Sequence, residues 1–236
     1  MSWRKIPINE NDLEGSYTQK YGLNSRYQKE QEPVYTDPKI LNDLKTAVSW
    51  LDIQKENTVL DIGVNNGYEL ELFEKINPSF SKANVIGMDI IGEVLKQASE
   101  RFSSKRNFIF IKGDITSFRG TNINTGQSVE IKSNSIDILI ALTSLQSSSI
   151  SAKFASFMED LLTKMRGKSQ LLVGTPDFHL DESDNIVDGL FDAGKGLDMN
   201  MANEFSKKVI EILKDNGFSH KQTGRAIIFD YFWRNI

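Results

Sequence analysis

Cysteine is absent from the sequence, and histidine occurs only twice. The absence of cysteine excludes disulfide bonds, thiolate nucleophiles and cysteine-ligated metal ions. No apolar run approaches the roughly 20 residues that a membrane-spanning helix requires. Residues 1–10 also lack the apolar stretch of a secretory signal. We therefore expect a soluble, cytoplasmic protein with no membrane partner.

Positive charge is not in excess either, because 28 lysines and arginines are set against 32 aspartates and glutamates, for a net charge of −4. Such a balance gives no global basic footprint, so we expect no nucleic-acid partner. The chain of 236 residues, 39% of them hydrophobic, suits one α/β domain with a sizeable core. A second full domain is not expected.

Short apolar segments alternate with amphipathic helical segments along most of the chain. The predicted central strands are 58–62, 84–89, 108–112, 135–142 and 170–173. This alternation indicates an α/β fold with a doubly wound, mostly parallel sheet and helices on both faces. Two further apolar segments within 218–233 predict an antiparallel strand at the edge of the sheet. The expected total is seven strands.

Three segments stand apart from this alternation. The polar and aromatic residues 1–34 predict a cap over the ligand site, or a segment that only packs onto the main domain at 35–236. The turn-rich residues 118–134 predict a β-hairpin insertion. The acidic residues 176–200 predict either a lid that attracts a cationic substrate or a solvated charged loop.

The most informative stretch is 59–72, in which a buried strand leads through a glycine-containing turn into a helix. Gly63 and Gly67 can adopt backbone angles, or allow close approaches, that a side chain would forbid. Asp61, near the carboxyl end of the strand, would direct a carboxylate into the same crevice. The stretch therefore predicts a ligand-binding elbow.

Aspartates also mark the ends of the next two predicted strands, at Asp89 and Asp114. In an open α/β sheet, ligands bind beyond the carboxyl ends of the strands, near the point where strand order reverses. We therefore expect Asp61, Asp89 and Asp114 to lie along one functional edge.

The elbow does not match a dinucleotide-binding fingerprint. That fingerprint needs glycines at its first, third and sixth positions, and here those positions hold Gly63, Asn65 and Tyr68. Glu69 and Glu71 in the first helical turns would also repel a phosphate. An adenosine ligand without phosphates fits better, which disfavours a nicotinamide-dependent oxidoreductase.

The turn 61–67, Asp-Ile-Gly-Val-Asn-Asn-Gly, resembles the first motif of class I S-adenosylmethionine-dependent methyltransferases, Asp-x-Gly-x-Gly-x-Gly. Asn65 replaces the middle glycine, and asparagine tolerates unusual backbone angles better than most residues. The resemblance covers roughly 35–233, with its specific motifs in the first half. It implies S-adenosylmethionine as cofactor, bound in the elbow by Asp61, Gly63, Asn65 and Gly67.

The resemblance assigns six further residues to the cofactor site: Asp89, Ile90, Asp114, Ile115, Ala141 and Leu142. In that family, the acid ending strand two holds the ribose hydroxyls. The acid after strand three faces the adenine amine, and its neighbour packs on the ring. The end of strand four lines the methionine side. The implied reaction is an in-line transfer of the methyl group to an acceptor.

Acceptor-side residues carry weaker signals. His179 and Asp177 follow the fifth predicted strand, where His179 could act as a general base near neutral pH or lie in a surface loop. Tyr21 would share a helical face with Tyr17 and close over a pocket, if that segment is helical. His220 is interpreted as structural. No spacing is diagnostic of a metal site, and none is expected.

The residues after strand four, 141–146, lack the Asn/Asp-Pro-Pro-Tyr pattern that similar enzymes use for base nitrogens or glutamine amides. This absence argues against those substrates. The leading hypothesis, motivated by the elbow and the three aspartates, is a methyltransferase that acts on oxygen or nitrogen of a small molecule. A methyltransferase-like domain without catalysis, acting as a binding or regulatory partner, is the alternative.

Overall fold

The computed structural model describes residues 12–22, 37–142, 144, 154–176, 199–224 and 227–235. The helices are α1 (Leu13–Tyr21), α2 (Pro38–Ser49), α3 (Tyr68–Ile76), α4 (Gly92–Arg101), α5 (Phe154–Lys164) and α6 (Met199–Asp215). Short 3-10 turns cover Pro78–Lys82 and Ile115–Ser117. None of these helices is long and apolar enough to cross a membrane.

The strands are β1 (Thr58–Ile62), β2 (Asn84–Asp89), β3 (Phe108–Lys112), β4 (Arg119–Asn122), β5 (Ser128–Glu130), β6 (Ile136–Leu142), β7 (Met165–Pro176), β8 (Ser219–Thr223) and β9 (Ile227–Asn235). Within the described ranges they form one sheet in the order β5-β4-β3-β2-β1-β6-β7-β9-β8. The strands β3, β2, β1, β6 and β7 are parallel to one another. The remaining pairs are antiparallel.

The predicted α/β class and its parallel centre are confirmed, but the predicted total of seven strands is wrong. Nine strands are present in the part of the chain that the structure describes, and both edges of the sheet are antiparallel. The additional pair is the hairpin β4–β5, which bonds to the outer edge of β3. It fits closely because side chains at Gly113 and Gly120 would collide with the carbonyl oxygens of Arg119 and Lys112.

One strand is longer than its apolar core suggests. The sequence predicts strand five at 170–173, whereas β7 spans Met165–Pro176. Antiparallel pairing with β9 continues from Lys168 to Pro176, so the partner strand supplies hydrogen bonds beyond the apolar residues. Pairing, rather than local hydrophobicity, sets the length of this strand.

Helices cover both faces of the sheet. Buried residues of α2, α3 and α4 belong to one hydrophobic cluster with the sheet, and those of α5 and α6 belong to a second. All seven residues of β6 are buried, as expected for a central strand covered on both faces. Chain order reverses between β1 and β6, which are neighbours in the sheet. The functional edge therefore lies beyond the carboxyl ends of β1, β2 and β6.

A polar contact at the amino end of the parallel strands, opposite the functional edge, holds the first residue of β1. The Thr58 backbone N–H donates to Oδ2 of the buried Asp137 at 2.8 Å. Nη1 of Arg166 donates to both carboxylate oxygens of Asp137, each at 2.9 Å. Because Asp61 lies three residues beyond Thr58, this contact also helps to position the functional edge.

Replacing Asp137 by alanine should lower the free energy of unfolding by about 2 kcal/mol, because it leaves the Thr58 N–H without an acceptor. Asp137→Asn is the matched control. Its carboxamide oxygen can still accept from Thr58, so we expect a loss of about 1 kcal/mol or less. Urea denaturation measures both values, and equal losses in the two variants would contradict this account of the contact.

Candidate functional site

The elbow between β1 and α3 is built on three left-handed residues. The φ angles are 73° at Gly63, 51° at Asn65 and 77° at Gly67. Glycine adopts such angles without strain, and asparagine adopts them more readily than most other residues. Asn65 therefore meets the backbone requirement of the position where the resembling motif has a glycine.

Backbone hydrogen bonds fasten the elbow to the end of β2. The N–H groups of Gly63 and Val64 donate to the Met88 carbonyl oxygen, at 2.8 and 3.3 Å. The Asn65 N–H donates to Oδ2 of Asp89 at 3.0 Å, and the Ile91 N–H donates to Oδ1 of the same carboxylate at 2.9 Å. The elbow and the turn after β2 therefore share one anchor.

Asp89 retains capacity for a ligand. Each oxygen of an ionised carboxylate has a second lone pair, so both can accept again. Burial raises the pKa of Asp89, while the backbone N–H groups of Ile91, Asn65 and Ile90 oppose that rise. The residue is half-buried, as is Ile90. Its position is compatible with an acceptor for two neighbouring hydroxyl groups.

Asp61 lies deeper. It is 1% exposed, and neither carboxylate oxygen has a hydrogen-bond partner among the described residues. Burial raises its pKa well above the ordinary range, and the negative charges of Glu69 and Asp89 raise it further. A buried polar group without a partner is costly, so this carboxyl group marks a place for a water molecule or a polar ligand.

The two glycines of the elbow have different neighbours. A side chain at Gly63 would collide with Ser144 after β6, whose hydroxyl oxygen is also buried without a partner in the described part of the chain. A side chain at Gly67 would press against Ala98 of α4 and against Phe102, the residue that follows α4. The missing side chain at Gly63 therefore leaves room for Ser144, whereas the missing side chain at Gly67 lets α4 pack closely against the elbow.

Sequence reasoning missed Ser144 and the role of Glu69. The sequence around Ser144 does not indicate a site residue, and Ser144 has room beside the elbow only because Gly63 has no side chain.

Glu69 is 5% exposed in the first turn of α3, and its negative charge raises the pKa of Asp61. Glu71 instead pairs on the surface with Lys75 and Arg101. The two glutamates are therefore not equivalent.

Asp114 lies at the carboxyl end of β3. Its Oδ1 accepts from the Thr116 N–H at 2.9 Å and caps the short 3-10 turn Ile115–Ser117. Both Asp114 and Ile115 are half-buried. Since β3 pairs with β2 up to Asp89, this turn lies next to the Asp89 turn along the same edge.

Ala141 and Leu142 end β6 beside the elbow, but both are buried in the core. They belong to the two opposite hydrophobic clusters, as alternation along a strand requires. The structure therefore gives these side chains a packing role.

The first helix reaches the functional edge. Nζ of Lys112 at the end of β3 lies 2.6 Å from Oε1 of Glu14 in α1. Gly22, which follows α1, lies against the Glu93 carboxylate of α4. Tyr21 is the last residue of α1, and its side chain lies outside the described part.

Two predicted site residues, Asp177 and His179, lie outside the described residues. They follow Pro176, the last residue of β7, which runs parallel to β6. The other histidine, His220 of β8, shares a 2.7 Å hydrogen bond with Asp230 of β9. That pair joins the edge strand β8 to its neighbour β9 and does not belong to the elbow.

No protein-family model and no curated protein matches this chain. Solved structures do match. A SAM-dependent methyltransferase from Aquifex aeolicus gives a TM-score of 0.59 at 16% identity, over 89% of this chain and 98% of that chain. The plantazolicin methyltransferase BpumL, solved with a triazolic desmethylPZN analog and SAH, gives 0.59 at 14% identity, over 97% and 98% of the two chains.

The mitomycin 7-O-methyltransferase MmcR gives a TM-score of 0.56 at 14% identity, over 100% of this chain and 61% of that chain. At such identities the likeness shows a shared fold. This chain therefore has the fold of SAM-dependent methyltransferases, and its elbow lies between the first strand and the following helix of the parallel sheet.

The left-handed conformation of Asn65 is testable by a matched pair of substitutions. Asn65→Ala should lower the free energy of unfolding by about 1 kcal/mol relative to Asn65→Gly. In the left-handed conformation the alanine Cβ lies too close to the backbone, whereas glycine has no Cβ. Thermal or urea denaturation of the two variants measures the difference. Equal stability would show that the elbow does not impose this backbone angle.

Proposed function

We propose that this protein is an S-adenosylmethionine-dependent methyltransferase whose cofactor binds across the elbow and the ends of β2 and β3. The observation that carries the proposal is the Asp89 carboxylate, which is anchored by the Asn65 and Ile91 N–H groups and still has lone pairs for a ribose diol. The fold shared with methyltransferases supports it.

The chemistry of the site fits the charge of this cofactor. Asp61, Glu69 and Asp89 bring carboxyl groups to one place, and the buried carboxyl of Asp61 has no partner among the described residues. A ligand with a sulfonium and an ammonium group is attracted by this environment. A pyrophosphate is repelled by Glu69 in the first turn of α3, and the elbow lacks two of the fingerprint glycines.

In this arrangement Asp89, with Ile90 beside it, holds the ribose, and Asp114 and Ile115 hold the adenine. Gly63, Asn65 and Gly67 shape the elbow. When bound, the cofactor would supply a methyl group on a positively charged sulfur, which is already activated to leave as a neutral thioether. The protein's main contribution is to orient the acceptor, which can supply on the order of 7–11 kcal/mol.

The acceptor in this proposal is a small molecule, methylated on oxygen or nitrogen. His179 is the proposed general base, with Asp177 beside it in sequence and Tyr21 on the cap formed by residues 1–34. The ion pair between Lys112 and Glu14 supports a cap position for α1, because it ties that helix to the end of β3. The acidic residues 176–200 would serve as a lid that favours a cationic acceptor.

Calorimetric titration with S-adenosylmethionine should show binding in the micromolar to low millimolar range, and none with a nicotinamide dinucleotide. Asp89→Ala should weaken binding about tenfold or more, because hydrogen bonds to a charged acceptor are lost. Asp89→Asn should also weaken it while preserving an acceptor for the backbone.

Asp215→Ala, at the exposed carboxyl end of α6, is the control and should bind as the wild type does. Failure of the wild-type protein to bind S-adenosylmethionine would falsify the proposed function. Binding without turnover of any acceptor in a metabolite library would instead favour a regulatory or binding domain.

With an acceptor from such a screen, His179→Ala should lower kcat by about 10²-fold or more, the usual contribution of a general base. Cofactor affinity, measured by calorimetry, should not change, because the histidine is assigned to the acceptor side. An unchanged kcat would remove His179 from the reaction.

A further inference from the structure

Three acidic residues on three different elements are electrostatically linked at the elbow, because the charges of Glu69 and Asp89 both act on Asp61. Asp61 lies on β1, Glu69 in the first turn of α3 and Asp89 at the end of β2. Asp61 is 1% exposed and Glu69 is 5% exposed. Neither oxygen of Asp61 has a hydrogen-bond partner within the described ranges, although burial makes such a partner most valuable.

The surroundings of Asp61 supply no compensating positive charge from the described residues. Its cross-strand neighbours are Gly87 on β2 and Ile140 on β6, and neither can be charged. The charged groups that act on Asp61 are Glu69 and Asp89. Both are acidic, so both disfavour a negative charge on Asp61. Ser144, beside Gly63, is polar but does not titrate in this range.

An isolated charge in such a place costs far more than a neutral carboxyl group, and the usual outcome is that the group binds a proton. We propose that Asp61 carries a proton in the ligand-free protein and releases it to water when the cationic end of S-adenosylmethionine binds at the elbow. The Asp61 O–H bond breaks, the proton leaves to solvent, and the ligand's positive charge stabilises the carboxylate that remains.

This inference rests on the proposed function, because the ligand that displaces the proton is the proposed cofactor. Its methionine end carries a sulfonium and an ammonium against one carboxylate, so its net charge is positive. The site would then select the cofactor partly by charge. Affinity would rise with pH, by up to about tenfold per pH unit, until Asp61 is ionised in the ligand-free protein.

The test is calorimetry of S-adenosylmethionine binding in buffers of different ionisation enthalpy, at about pH 5, 6 and 7, below the ordinary range of an α-amino group. The dependence of the measured enthalpy on the buffer gives the number of protons released. We expect a release approaching one proton in at least one of these conditions. Methylthioadenosine, which has the adenosine but no charged end, should bind with no release.

Two variants identify the source of the proton. Asp61→Asn should abolish the release, and Glu69→Gln should keep it but move it to lower pH, because one neighbouring negative charge is gone. Binding without proton release at every pH would overturn this inference and leave the proposed function standing. If titration with S-adenosylmethionine gives no binding heat and displaces no bound methylthioadenosine, the proposed function itself is overturned.

A measurement without ligand tests the same protonation. Because the pKa of Asp61 is raised in the folded protein, the native state binds more protons than the unfolded state above the ordinary aspartate range. Wild-type stability should therefore fall relative to Asp61→Asn as pH rises from about 4 to 8. A constant difference would show that Asp61 is ionised throughout. Should Asp61→Asn not fold, the wild-type buffer dependence and the Glu69→Gln shift still decide the question.

Discussion

The Asp89 carboxylate accepts one hydrogen bond from the elbow after β1 and one from the turn after β2. The conformation of the candidate site depends on this double contact, because it holds Asn65, the non-glycine residue of the elbow with a left-handed angle, against the end of β2. A residue that would bind a ribose is thus also a structural anchor. The geometry of the elbow and its capacity for a ligand are coupled through one side chain.

Negative charge distinguishes this site from elbows that bind phosphates. Nucleotide-binding elbows that receive phosphates use the partial positive charge of a helix amino terminus. Here the first turn of α3 contains Glu69 and Glu71, and the buried one, Glu69, acts on Asp61. The same strand-turn-helix architecture is thereby suited to a cationic ligand. Its selectivity comes from side chains behind the turn as well as from the turn.

The sheet shows a limit of pattern reasoning. The parallel strands were predictable because each is a short apolar run between amphipathic helices. The turn-rich residues 118–134 predict a hairpin, but not that its short polar strands β4 and β5, with Arg119 and Glu130 paired across them, extend the sheet at the edge of β3. Similarly, β7 exceeds its apolar core because β9 continues the pairing. Hydrogen bonding to a distant partner leaves little trace in local sequence.

The sequence by itself determined the α/β class, the elbow at 61–67 and the placement of acidic residues at strand ends, because period, glycine spacing and apolar runs are local properties. Only the tertiary structure decided that Asp61 is buried without a partner among the described residues, that the charge of Glu69 acts on it and that Ser144 lies against Gly63. Those facts depend on how β1, α3 and Ser144 pack together. Burial and electrostatic coupling arise between segments, and the sequence of any one segment does not contain them.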